Sequence, residues 1–470
     1  MLKSYRYSNL LYWVIFILAF TSSAPTDPNV RSGLEDAGFN LFKRYIGDIV
    51  SIWDLLFFLL LFIVIFKKKS SDCRHNTLTR AFGNRYLNSY FLFLILSVIV
   101  GLLIILTTQI ESFYIVGWFR ATVPVLYIIG SYYLVVNMIK SEDDLDKMWF
   151  LLERIAGLMV LYGFIRLLLI LNGNIQTLVV EGVPIILYSE LAYFDLPIII
   201  YVLRVWHKKP LGLLRWIMLI CMIGFIIAST RRYNYIQLLL NLIIAFLAAK
   251  QAKLLTLSSV IKSSHYFFLL LLLLPPIVAF ILPDLAEAFL FSVQTINVFS
   301  EEGFLYTGEF RLSQLKNIFL NMEEVPITFV TGFGIGSQWH EIEPLPTTID
   351  ELGSYMAYDA KVMSQSHNNY LPYFHILYFS SIFRFGLVGS LILIVIAYRF
   401  WSMTQRVINV TYGVDRKILI VGLSALSLLP ILYLGDNAAV VTWITLGINF
   451  GLIRSTQLLH LNKVTLAIQQ

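Results

Sequence analysis

Arg231 and Arg232 stand side by side in Ser229-Thr230-Arg231-Arg232-Tyr233, a short turn between two apolar runs. Two guanidiniums at such a boundary are costly unless they snorkel to water or meet an anion. Their planar forks bind oxygen anions through paired hydrogen bonds, a geometry that suits a diphosphate. A third arginine, Arg311, follows Gly308-Glu309-Phe310; alone it reads as a solvated residue, and it gains meaning beside the other two. His367 lies in Ser366-His367-Asn368-Asn369-Tyr370-Leu371. Imidazole titrates near neutral pH, so it can take the proton of a hydroxyl as that oxygen attacks. A lone histidine is as readily structural. Tyr370, Leu371 and Phe374 are expected to form the apolar side of a helix starting at His367. His340 and His375 are spare candidates, and no ligand spacing joins the three histidines into a metal site.

Gly332, Gly334 and Gly336 alternate in Thr331-Gly332-Phe333-Gly334-Ile335-Gly336, after the β-prone run Ile327 to Val330. The dinucleotide fingerprint needs a further glycine and a following helix, and both are missing, so that reading is rejected. The glycines instead allow a tight turn close to a ligand or to a membrane helix. Asp144-Leu145-Asp146 formally matches an acidic pair that holds a divalent ion, but Lys140-Ser141-Glu142-Asp143 before it reads as a helix cap with acids in the first turn. Arg120, Arg154, Arg166, Glu190 and Asp195 sit within or near apolar runs, where ionisable groups are functional candidates by default. Glu190 and Asp195 could relay protons, which keeps a transporter reading open.

The elements that must hold these residues are almost all hydrophobic. Of 470 residues 58% are hydrophobic and 14% charged, against about 25% charged in soluble domains. The chain is therefore read as an integral membrane protein. Its net charge of +6 sits in short loops between apolar runs, which marks topology and gives no sign of a nucleic-acid partner. Cys73 and Cys221 supply no disulfide framework. Met1 to Ala24 has the features of a signal peptide, although a retained first helix is favoured.

Later spans are expected at about 50–66, 88–107, 118–139, 151–171, 184–203, 213–229, 234–249, 266–282, 383–401, 417–434 and 437–453, each near the roughly 20 residues a hydrocarbon core demands. Lys67-Lys68-Lys69, Arg204 to Lys209, Lys250 and Arg406 to Lys417 would then face the cytoplasm with both termini. The expected fold is all-α, polytopic, with about twelve transmembrane helices and one long, partly helical periplasmic loop. Spans one to nine fill 1–282, the loop 283–381, and three further spans with a cytoplasmic tail 382–470. Leu312, Leu315, Phe319 and Met322 recur at helical spacing, so Phe310 to Met322 is expected as an amphipathic helix lying on the membrane face.

In order and spacing the motifs resemble the O-antigen ligase and polymerase superfamily, bacterial inner-membrane glycosyltransferases acting on lipid-linked glycans. The resemblance rests on Thr230-Arg231 with Arg232, on Arg311, on Gly332, Gly334 and Gly336, on His367-Asn368 with Tyr370-Leu371, and on Gly386 and Gly389. It covers Ser229 to Gly389 and reaches the first half only in hydropathy. It implies an undecaprenyl-diphosphate-linked glycan donor held by Arg231, Arg232 and Arg311. His367 would activate an acceptor hydroxyl, with Asn368 and Tyr370 binding substrate. The acceptor is a second lipid-linked repeat or lipid A core. No cofactor or metal is implied, and membrane lipid and a chain-length regulator are the other partners. In the ligase form a glycine follows His-Asn by about ten residues, whereas Gly386 is eighteen after Asn368, which favours a polymerase.

Overall fold

The computed structural model describes residues 45–46, 50–67, 83–108, 112–173, 179–180, 183–184, 186–187, 191, 193–229, 232–258, 260–261, 309–337, 339–340, 342–343, 370–371, 377–432 and 440–469. Among them are twelve helices: α1 Ile52–Lys67, α2 Arg85–Thr108, α3 Ser112–Met138, α4 Glu142–Leu171, α5 Asp195–Trp206, α6 Leu213–Ala228, α7 Arg232–Gln251, α8 Glu309–Glu324, α9 Thr328–Thr331, α10 Leu377–Val410, α11 Val414–Leu432 and α12 Val440–Gln469. Three antiparallel ladders of two residues a side complete the description: β1 Tyr45–Ile46 with β2 Val50–Ser51, β3 Val179–Val180 with β4 Val183–Pro184, and β5 Trp339–His340 with β6 Tyr370–Leu371. The architecture is helical, as composition and periodicity lead one to expect.

By length and composition, three described helices could cross a membrane, at 85–108, 142–170 and 381–410, and shorter apolar helices cover 122–138 and 213–228. The apolar runs at 10–20 and 266–282 lie outside the described residues. Two runs differ from expectation. The one expected at 184–203 begins as the β3–β4 turn and becomes helical only at Asp195, giving a 12-residue helix. Pro197 explains the late start: a proline is tolerated in the first helical turn, where its missing N–H would have no partner, and would break a helix begun a turn earlier. The stretch after 453, expected as a tail, continues as helix α12 to Gln469.

The main core packs α3 closely against α12 and surrounds the pair with rings from α2 and α10. Phe91 lies 5.0 Å from Tyr132, Tyr90 5.7 Å from Phe450, and Phe400 5.3 Å from Phe450, centroid to centroid. One end of this bundle is tied by charge. Arg416 at the start of α11 pairs with Glu142 and with Asp146 on α4, the latter at 2.9 Å. Asp415 meets Lys209 at 2.8 Å and Arg204 at 3.6 Å. The Asp144-x-Asp146 acids are thus accounted for structurally: Ser141 and Asp144 form a reciprocal capping box at the start of α4, and Asp146 partners Arg416. Asn84, just before α2, donates to Gln457 at 3.2 Å and to the Met403 sulfur, so the same end also gathers α2, α10 and α12.

Away from that end, a smaller apolar cluster joins α2, α8, the glycine segment and α10 through Ile104, Ile318, Met322, Phe333 and Phe383. Here α8 corrects the expectation of a simple apolar face turned inward. Its fully covered side carries Gln314, Asn317 and Asn321 along with Ile318 and Met322, while Leu312 is 54% and Phe319 37% exposed. The Asn317 amide explains the burial of polar groups. Its oxygen accepts from the backbone N–H groups of Ile342 and Glu343, and its nitrogen donates to Ser313 O and Glu343 O, so it docks a loop with every bond filled.

Candidate active site

The glycine segment is the best-defined part of the expected site. Thr328–Thr331, which overlaps the run Ile327 to Val330 read as β-prone, is one helical turn, initiated after Pro326 and held by Thr328 Oγ1 donating to Val325 O. Gly332 ends it at φ +67°, and Gly334 and Gly336 follow at +77° and +91°. These are left-handed values that only glycine adopts without cost.

The close approach that the spacing foreshadows is to membrane helices. A β-carbon built on Gly334 would stand 2.1 Å from the Gly101 nitrogen on α2, and one on Gly332 2.4 Å from the Arg384 carbonyl carbon on α10. The backbone pairs at the same points: Phe333 N–H donates to Phe383 O and Gly334 N–H to Arg384 O, both at 2.8 Å, and Ile335 N–H to Ser97 O at 3.0 Å. Gly336 lies against Trp118 of α3, whose indole N–H donates to Val98 O at 2.9 Å.

α10 is shaped to receive this loop. Gly386 interrupts it with φ +65° and ψ −176°, so the helix bends there and continues from Leu387. The bend frees the carbonyls of Phe383 and Arg384 from the helical ladder, and these are the two that accept from the glycine segment. Sequence reasoning singled out Gly386 within the span expected at 383–401 and overlooked the arginine two residues before it. Arg384 is 2% exposed, and its Nη1 donates to Ser337 O, to Ser337 Oγ at 3.0 Å and to Gly334 O at 3.3 Å. Its guanidinium carbon also lies 5.2 Å from the Phe383 ring centroid. The available signal was an arginine flanked by two phenylalanines inside an apolar run, the same argument that singled out Arg166 and Asp195.

The remaining expected residues divide. Arg232 is the first residue of α7 and Arg311 the third of α8. Arg231, His367 and Asn368 lie outside the described residues, as do His375 and Glu190. Tyr370 is placed, but in β6 opposite His340, where a helix was expected. This is a correction: the backbone of Tyr370-Leu371 is extended because it pairs with Trp339-His340. The glycine segment leads through Ser337 into β5, so Tyr370 is joined to it by one short ladder. Of the intramembrane charges, Arg166 is buried in α4, Arg154 is exposed, and Asp195 opens α5 half-buried.

Residues 217–395 match the family model described as O-antigen ligase. No curated protein and no solved structure matches the chain. The matched stretch runs from α6 to the middle of α10, and it takes in the arginine turn, Arg311, the glycine segment, His367-Asn368 and the Gly386 bend in the order that first suggested the resemblance. Residues 217–395 are thus similar to the O-antigen ligase family, and together with the apolar helices this supports reading the chain as a membrane protein related to the O-antigen ligase and polymerase superfamily.

Proposed function

We propose that the chain polymerises oligosaccharide repeat units carried on undecaprenyl diphosphate into O-antigen or exopolysaccharide, at the periplasmic face of the bacterial inner membrane. In this reading both termini are cytoplasmic, twelve spans hold the frame, and 283–381 is the catalytic loop. Arg231, Arg232 and Arg311 grip the donor diphosphate and neutralise the charge that grows on it as the bond breaks. His367 takes the proton from the acceptor hydroxyl; the hydroxyl oxygen attacks the anomeric carbon, and the carbon–oxygen bond to the diphosphate breaks. Asn368 and Tyr370 hold the sugar. Guanidinium groups then do the work that a divalent ion does elsewhere, so the transfer needs no metal.

The observation that carries this reading is the family match, because residues 217–395 contain every residue given a role in it. The description of that family favours a second reading, ligation of a finished glycan to lipid A core. The eighteen-residue gap from Asn368 to Gly386 is the reason for placing polymerisation first.

Purified protein supplied with lipid-diphosphate oligosaccharide in the presence of EDTA is expected to lengthen the glycan. His367→Ala is expected to abolish this while leaving the protein inserted and monodisperse. Product made only when lipid A core is added would select ligation. Movement of the lipid across vesicles without transfer would defeat both.

A further inference from the structure

We propose that Arg384 is a positioning residue, tying Ser337 at the root of the β5–β6 ladder to the bend of α10 and so fixing where Tyr370 stands. The inference rests on the transfer reading for its catalytic meaning, and on the geometry alone for its mechanical one.

Three observations lead to it. First, Arg384 is used twice. Its carbonyl accepts from Gly334 N–H at 2.8 Å, and its side chain returns to the same strand of backbone three residues on, at Ser337 O and Ser337 Oγ. Ser337 Oγ in turn donates to Gly334 O at 2.9 Å, so the turn from 334 to 337 is closed from inside and outside. Second, this guanidinium is buried, where its hydrogen bonds are worth more and cannot be exchanged for water. Third, the turn is the root of β5: Trp339 pairs with Leu371 and His340 with Tyr370. Tyr370 stands three residues along the chain from His367, and α10 begins at Leu377. A displacement at Ser337 therefore passes directly to the ladder. Misplacing a reacting group by about 1 Å costs about a hundredfold in rate.

Arg384→Gln keeps a polar side chain but loses the reach and the fork. It is expected to lower kcat per folded molecule by about tenfold to a hundredfold while leaving the donor KM unchanged, since Arg232 and Arg311 are held by α7 and α8. Arg384→Lys, which still reaches Ser337 O, is expected to retain most of the rate. Ser337→Ala, a smaller change that tests the same contact without emptying the site, is expected to lower kcat by less than Arg384→Gln. Combining the two is expected to cost no more than Arg384→Gln alone.

A second readout does not depend on turnover. With Cys73→Ser and Cys221→Ser, the pair Trp339→Cys and Leu371→Cys across the ladder is expected to form a disulfide under mild oxidation, and to form it more slowly when Arg384→Gln is added. Equal cross-linking rates would overturn the placement whether or not the protein transfers glycan. Inactivity of the unaltered protein, with cross-linking slowed as expected, would sink the transfer reading and leave the placement standing. An unchanged kcat in Arg384→Gln or Ser337→Ala, or a raised donor KM in either, would overturn the positioning role.

Discussion

The bundle core and the junction around the glycine segment hold their helices together in different proportions of side-chain and backbone contact. In the bundle, rings of α2, α3 and α12 such as Phe91, Tyr132 and Phe450 interlock around a close backbone approach, Gly447 of α12 to Ile128 of α3, and the charged pairs lie at one end. In the junction, backbone meets backbone: Gly334 against Gly101, Gly332 against the main chain at Arg384 and Gly386. The first kind of contact adapts, because a side chain can change rotamer when a neighbour loses a methyl group. The second cannot, since the atoms in contact are those the chain must keep. Two of the motifs in the matched stretch, the glycine segment and the Gly386 bend, lie in this rigid region, as a site that requires fixed distances would need.

The contrast makes ordered predictions. The largest effect is expected from Gly334→Ala, which forces a left-handed backbone on alanine and drives its methyl group into α2; a loss of about 3 kcal/mol or more follows from the two penalties together. Thermal unfolding in detergent and glycan transfer should both fail, and a variant that melts like the parent would erase the distinction. Ile128→Val, in the bundle, is expected to cost about 1 kcal/mol, read as a modest fall in melting temperature with transfer intact. Asp415→Asn removes a half-exposed partner of Lys209 and Arg204, and about 0–1 kcal/mol is expected, close to the limit of a melting experiment. An ordering in which Asp415→Asn outweighs Gly334→Ala would show that charge at the far end, and not backbone contact, holds the frame.

How much of this was legible beforehand depended on which atoms carry the information. Helical class followed from composition, and the capping reading of Ser141 to Asp146 from local rules that need no tertiary structure. Glycine spacing announced a close approach, but only the fold shows that the partners are Gly101 and the α10 bend. The polar face of α8 was misread because periodicity ranks Asn317 by its polarity and is blind to a loop at 342–343 that supplies three of its four bonds. Tyr370 was misread for a related reason: a two-residue ladder depends on a partner thirty positions upstream, and nothing local to Ser366–Leu371 encodes it. Arg384 escaped notice because two of the three acceptors described for it are main-chain oxygens, and these have no signature in the amino-acid alphabet.

The clasp between Ser337 and Arg384 also sets a rule for divergence. With both ends of the intervening stretch pinned, lengthening it changes only a closure entropy that rises by about 0.6 kcal/mol for each doubling. Outside the β5–β6 ladder and the run His367 to Tyr370, residues between the two pins can be inserted, deleted or exchanged while the frame keeps its dimensions, much as an antibody scaffold tolerates new loops. On the proposed reading, the stretch between Asn368 and Gly386 is where a new sugar partner would be accommodated at little cost to the frame.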